Sequence, residues 1–272
     1  SNPKKANTKD GYYMAKRNTQ GTEKTQIMEW LAVAHIDSLK TKVNSSDDAF
    51  VKIPISKLVE HGVVRAKTAT RDISRLHKEM AKLMLEVETT REGANGDTGI
   101  VYTSTVVFPE MEYDHLDKEV TVKISSKAVP QFYNLSDLAH TSLNLDIVLK
   151  NITGFWARKI YAICREQLYH NSDIIEFKLS LNELYSVLGI EGKFKDTKDL
   201  NRRILSPSLW ELGWDLKNQK HVSVSSPKKP VADIDLHIRA SQIVSQNKIV
   251  GIRFQVRPKV MSQPSLIGRA PE

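Results

Sequence analysis

The chain has 272 residues, 40% of them hydrophobic and 26% charged, with a formal net charge of +8 and a single cysteine, Cys164. One cysteine excludes an internal disulfide and every multi-cysteine zinc site, and the absence of a run of about 18 apolar residues excludes a hydropathy-type membrane span. The length exceeds one ordinary core and suits two modules of roughly 100–150 residues each.

Residues 1–24 are polar and lysine-rich, lack the apolar stretch of a secretory signal, and read as a mobile basic arm. IMEWLAVAHIDSL reads as a helix, VNSSDDA as a loop, FVKIPI as a strand, and SKLVEHG as a short helix with a glycine stop. KTATRDISRLHKEMAKLMLEVE follows. Its Ala69, Ile73, Leu76, Met80 and Leu83 recur at helical spacing and form a buried stripe, with Arg71, Arg75, Lys78 and Lys82 on another face. REGANGDTG is a glycine-rich turn between β-rich runs. IVYTSTVVF and EVTVKIS are strands, and MEYDHLDKE between them is too acidic for the core. VPQFYNLSDLAHTSL reads as a short helix and a loop.

A similar order then recurs. NITGFWARKIYAICREQLYHN is a long helix with Ile152, Phe155, Trp156, Ile160, Ile163 and Cys164 inward. IIEFKLS is a strand, and LNELYSVLGI is a helix capped by Ser180. A turn at Gly189 and Gly192 leads into the helical stretch KDTKDLNRRILSPSLWEL. HVSVSS and IVGIRFQVRP are strands. Helix, strand, helix, turn, helix and β-ribbon is the order of a winged helix-turn-helix. The expected fold is α+β, with two tandem winged helix-turn-helix domains. The expected parts are an arm over 1–24, a first domain over 25–145, a second over 146–262 and a tail over 263–272.

Charge divides unevenly between these parts. Residues 1–145 hold 20 Lys+Arg against 19 Asp+Glu, and residues 146–272 hold 20 against 13. The basic half fits a polyanionic partner, although a basic balance also serves solubility. Base edges and phosphates offer mainly acceptors to a helix in the major groove, so long cationic side chains suit such a helix. Lys195, Lys198, Arg202, Arg203 and Ser206 share the polar side of the second-half helix, and Asn201 lies nearer its buried side. Pro207 lacks the ladder N–H and is expected to kink or restart that helix. In the ribbon, Lys228 and Lys229 sit between Pro227 and Pro230, and Arg253 and Arg257 alternate onto one strand face. Arg71, Arg75 and Lys78 are a second candidate surface in the first half. Each set also fits a charged, solvated face.

Enzyme signatures are missing. The glycines at 93, 96 and 99 lack the order of a phosphate loop, and GIEGKF has no Ser or Thr after its Gly-Lys pair. The histidines form no His-x-His pair and no zinc-protease motif. The expectation is a non-enzyme that needs no metal or cofactor.

FWARKIYAICREQ, IIEFKLSLNELYSVLGI and KFKDTKDLNRRILSPSLWEL together resemble the second winged-helix domain of the initiator replication proteins of iteron-containing plasmids. Asp199, Arg202, Arg203, Ile204, Leu205 and Pro207 occupy that family's D-x-x-R-R-hydrophobic-L-x-P pattern, and TVKISSKAVPQFYNLS resembles the end of its first domain. The resemblance implies a cytoplasmic, plasmid-associated DNA-binding protein. It implies binding to repeated double-stranded sites at an origin, opening of an adjacent AT-rich segment and recruitment of host proteins such as the helicase. It also implies a dimer, joined through the first domain, that represses its own gene. VADIDLHIRASQIVSQNK departs from the pattern and enlarges the second wing. A transcriptional regulator binding a single operator is the alternative on the same fold.

Overall fold

The chain begins with a strand that its composition conceals. The computed structural model describes residues 5–9, 12–13, 21–36, 47–132, 140–168, 174–194 and 196–259. Strand β1 (Lys5–Lys9) pairs antiparallel with β7 (His140–Asn144). Beyond it Tyr12 and Tyr13 are buried, with the Tyr12 ring edge-on to Phe132. The arm is thus partly regular structure, against expectation. KANTK has no apolar alternation, and it is ordered by backbone pairing with a distant strand. Of the expected loop 43–49, residues 43–46 lie outside the described residues and Ala49 opens β2, and the tail at 263–272 lies outside them as well.

Helix α1 (Glu23–Ile36) is buried around most of its circumference, from Thr25 to Ile36. A helix apolar on all sides belongs inside a fold, and α1 packs against β1, β2 (Ala49–Pro54) and α3 (Ala69–Met80). Helix α2 (Ile55–Glu60) leads through a left-handed Gly62 and a 3-10 turn (Ala66–Thr68) into α3. The predicted stripe Ala69, Ile73, Leu76, Met80 and Leu83 is buried throughout. The helix stops at Met80, however, and the expected continuation to Glu88 is instead strand β3 (Met84–Glu92), which forms a hairpin with β4 (Thr98–Val106). Leu83, Leu85 and Val87 are apolar at every other position, which is a strand period.

The acidic stretch set aside as non-core is a strand as well. β5 (Glu110–Asp114) pairs with β6 (Glu119–Ile124), and β6 pairs with β2, giving the sheet order β2-β6-β5. Met111 and Tyr113 pack toward the core while the acidic residues between and beside them face out. A turn tipped by the fully exposed Leu116 joins β5 to β6, and this pair is the wing of the first half. The β3–β4 hairpin is an insertion between α3 and that wing.

After β6 come a 3-10 turn (Val129–Gln131), β7, and a widened helical turn (Ile147–Asn151) before α4 (Phe155–Gln167). The expected loop before Leu143 therefore contains a strand, and residues 133–139 of that stretch lie outside the described residues. β8 (Ile175–Ser180) precedes α5 (Leu181–Leu188), where Ser180 and Glu183 form a reciprocal capping box. A continuous helical rod follows: α6 (Thr197–Leu200), a π-type turn (Asn201–Leu205) and α7 (Ser206–Glu211). Short strands β9 (Trp214–Asp215) and β10 (Lys220–His221) come next, so the expected strand HVSVSS is reduced to its first residue. Last are β11 (Leu236–Ser245) and β12 (Lys248–Pro258).

The second sheet runs β11-β12-β8. Its inner face carries Ile238, Ala240, Ile252, Phe254 and Val256, all buried. Gly251 is required where β12 meets the end of β8, because a Cβ there would lie 2.5 Å from the Leu179 carbonyl oxygen. A register shift begins at that same point, where Ile243 pairs with Gly251 and Val244 with Ile249, and it bulges the ribbon there.

Polar contacts join the two halves. The Tyr13 backbone N–H donates to Glu166 Oε1 at 2.8 Å, and Arg158 reaches Glu23 Oε1 at 2.8 Å. Gln26 Nε2 donates to the Phe155 carbonyl at 3.4 Å. Arg158 and Glu166 are both buried, and Arg158 Nε also donates to the Ile152 carbonyl at 2.8 Å.

Candidate nucleic-acid interface

The rod Thr197–Glu211 is set by the two turns before it. Gly189 closes α5 in the left-handed conformation, which a residue with a Cβ adopts only at a cost, and Gly192 is left-handed too. Asp196 then caps the rod, its carboxylate accepting from the Lys198 backbone N–H at 2.9 Å. Leu200, Ile204, Leu205 and Leu209 bury one side. The other side projects Lys198, Arg202 and Arg203 into solvent, with Ser206 half-buried at the flank. Lys195 lies outside the described residues. Asn201 is half-buried, as its place on the wheel implied, and its Oδ1 finds no donor among the described residues.

Pro207 neither ends the rod nor sharply breaks it. The π-type turn before it widens the ladder where the Ser206 N–H reaches back to the Asn201 carbonyl, and α7 continues from there. The wider turn changes the angular spacing of Arg202 and Arg203 relative to a regular helix. One carboxylate tethers both: Asp199 Oδ1 lies 2.8 Å from Arg202 and 3.7 Å from Arg203 Nε. Such exposed pairs contribute little to stability, but they fix where the guanidinium groups wait.

The ribbon β11–β12 packs on β8 and α5 and turns at Gln246 and Asn247, both with positive φ. Its tip cation is Lys248, an exposed residue absent from the sequence-based set. The signal was present in the polar SQNK turn between two apolar alternations. Arg253 and Arg257 share the exposed sheet face, as their spacing predicts, but lie well down the ribbon from its tip. Arg253 faces Ser241 on one side and Lys178 on the other, and its Nε lies 3.5 Å from Glu176. Arg257 lies opposite His237, whose pKa is lowered by burial and by that guanidinium.

Lys228 and Lys229 are not on this ribbon. They occupy a separate turn, bridged from Ser226 to Lys229, that folds against α7, and Lys229 Nζ sits 4.5 Å from the centre of the Trp210 ring. The 213–235 excursion passes the end of the rod before β11 begins, and that routing carries the basic knuckle away from the wing.

In the first half, α3 presents Arg71, Arg75 and Lys78 on one exposed face. Asp72, which seemed to dilute that stripe, points inward. Its carboxylate accepts from the Arg65 side chain at 3.2 Å, from the Thr68 hydroxyl at 2.9 Å and from the Arg65 backbone N–H at 3.1 Å. The Arg65 and Thr68 hydrogen bonds hold that carboxyl well below the usual range. The outer face of α3 is therefore more cationic than its sequence implies.

Among the described residues, no group of three or more His, Cys, Asp or Glu is placed to hold a metal. Cys164 is buried, and burial pushes its thiol pKa up, which suits a packing role. Among the described residues no helix is long and apolar enough to cross a membrane.

A helix-turn-helix with a following β-ribbon, cationic on its second helix, defines a winged-helix architecture in the first half and repeats the same element order in the second. The chain belongs to the initiator replication protein family: the profile of that family's WH1 domain matches residues 13–165. Among solved structures, the Pi initiator protein, described as in complex with iteron DNA, superposes with a TM-score of 0.64 at 14% identity, covering 96% of this chain and 100% of that one. A weaker likeness, TM-score 0.40 at 11% identity, joins 78% of this chain to 75% of a structure of domains 2 and 3 of RctB. No curated protein sequence matches this chain.

Proposed function

We propose that this protein is a plasmid replication initiator built of two tandem winged-helix domains, and that it binds repeated duplex sites at an origin. The observation that carries this reading is the rod Thr197–Glu211. It is held by a capped helix and two glycine turns, and it projects Lys198, Arg202 and Arg203 from the side opposite its buried leucines. In this reading the rod enters the major groove and its arginines meet base edges. Lys248 at the ribbon tip, with Arg253 and Arg257 lower on the sheet, meets flanking phosphates. α3 makes a second groove contact through Arg71, Arg75 and Lys78. Membership of the initiator family and the fold shared with Pi support the reading. The protein acts by binding, without catalysis, and works in the cytoplasm. Origin opening and recruitment of host proteins such as the helicase follow once several copies are bound.

The same protein self-associates through its first half. The β3–β4 hairpin stands free of both three-stranded sheets and exposes Ile100 and Tyr102 on one face, the latter at 72%. An exposed apolar strand edge is a template for pairing, and a dimer formed there serves as repressor of the protein's own gene.

Footprinting on origin DNA across a salt series tests the proposal. Evenly spaced protections that weaken steeply with salt are the expected result. One palindromic footprint replaces the initiator reading with that of a single-operator regulator, and no protection at any salt removes DNA binding.

A further inference from the structure

The rod has a second surface that the DNA-reading model leaves unused. Beyond Arg202, at the far end of α7, an open groove of about 770 Å³ has Pro207, Trp210 and Pro230 as its apolar floor. Lys217, Lys220, Lys228 and Lys229 rim it. None of these four makes a salt bridge to a described residue. The two carboxylates nearby are committed elsewhere. Glu211 accepts from Thr153 and Gly154, and Asp215 accepts from the Lys217 and Asn218 backbone N–H groups and from Asn218 Nδ2. The wall is built: Ala232 N–H donates to the Glu211 carbonyl at 2.7 Å, and Val231 N–H to Ser225 Oγ at 3.1 Å. The indole N–H of Trp210 is shielded from solvent and has no acceptor among the described residues, so its signal reports on the packing of the floor.

We infer that this groove docks an acidic peptide of a partner protein, one that carries an apolar side chain among its carboxylates. The lysine rim supplies complementary charge, four cations against the two carboxylates of Glu211 and Asp215, whose oxygens are engaged by Thr153, Gly154 and the 215–218 turn. The indole and proline floor supplies a site for an apolar anchor, which a phosphate backbone does not need. Trp210 lies eight residues beyond Arg202, about 12 Å along a helix at roughly 1.5 Å per residue, so the peptide and a DNA duplex occupy different parts of one rod. The groove therefore lets the protein hold a partner while its reading face is engaged.

The test uses the full chain labelled with nitrogen-15. The chain has four tryptophans, and Trp210→Phe assigns the indole signal of interest. The probe is a ten-residue peptide of glutamates with two central leucines, compared with the same peptide bearing serines in their place and with a ten-nucleotide oligothymidylate. The leucine peptide is expected to shift the Trp210 indole signal and to bind at least tenfold more tightly than the serine peptide. Lys217→Glu with Lys220→Glu is expected to weaken it at least tenfold and to leave duplex DNA binding intact. An unmoved Trp210 signal overturns the inference, as does equal binding of the serine peptide. Stronger perturbation by the oligonucleotide, or loss of duplex binding in the double variant, also overturns it and assigns the groove to nucleic acid. Failure of DNA binding in the unmodified protein touches the initiator proposal alone, because the peptide measurement contains no duplex.

Discussion

Asp199 Oδ1 lies 2.8 Å from Arg202 and 3.7 Å from Arg203, so a single carboxylate tethers both arginines on the exposed face of the rod. Arg202→Ala is expected to weaken binding to the cognate site by about 1–3 kcal/mol, with relaxed choice at one base position. Asp199→Asn removes a negative charge that would face phosphates and frees both side chains. It should strengthen binding to scrambled duplexes and narrow the gap between cognate and scrambled. Fluorescence anisotropy on both duplexes reads each effect, and an Asp199→Asn protein with an unchanged gap would refute the tether.

Lys248 sits exposed at the ribbon tip, and in the proposed complex a cation there meets the phosphate backbone and not base edges. Lys248→Ala is expected to weaken binding about equally on all sequences and to lower the salt slope by about 0.9, the contribution of one phosphate contact. A slope measured from 50 to 200 mM salt, within about 0.2 of the unmodified value, would remove Lys248 from the interface.

Glu211 is buried and accepts from the Thr153 backbone N–H at 2.5 Å, the Thr153 hydroxyl at 2.8 Å and the Gly154 N–H at 2.9 Å. It therefore ties the end of the rod to the start of α4. Glu211→Ala leaves those donors without an acceptor and should lower unfolding stability by about 1.5–3 kcal/mol. Urea denaturation gives the figure directly, and an unchanged midpoint contradicts the assignment.

Asp72 links acid stability to the first half. Its folded pKa is depressed, first by the Arg65 side-chain hydrogen bond and next by the Thr68 hydroxyl. A depressed carboxyl contributes stability that is present above its unfolded pKa, about 3.9, and is lost as pH falls through the folded value. Stability of the unmodified protein should therefore fall below about pH 4, and Asp72→Asn should be less stable at neutral pH with a shallower fall in acid. Parallel curves for the two proteins from pH 6 to 2.5 would exclude the linkage.

Where local pattern and final structure agree, the chain carried its own instructions. The α3 stripe, the Ser180 cap and the glycine turn before the rod depend on residues within a turn or two of one another, and all appear as read; the reciprocal bond from Glu183 adds to that cap. The misses depend on distant partners or on period. KANTK becomes β1 only because β7 pairs with it. EMEYD alternates correctly, but its charge hid Met111 and Tyr113. The candidate site divided in the same way: the exposed placement of Lys198, Arg202 and Arg203 was legible from the helical wheel. The displacement of Lys228 and Lys229 toward Trp210 and the arrival of Lys248 at the tip follow from the route of the chain between β9 and β11.

The joint between the halves has one more consequence. Arg158 and Glu166, both buried, clasp Glu23 and the Tyr13 backbone, and Gln26 reaches Phe155 across the same seam. If DNA is read through both α3 and the rod, as proposed, such a clasp makes the molecule a ruler. The distance and phase between its two sub-sites are written in protein and not in a flexible tether. Half a helical turn of extra DNA between them would put one sub-site on the wrong side of the duplex, a defect that no improvement in either sequence could repair.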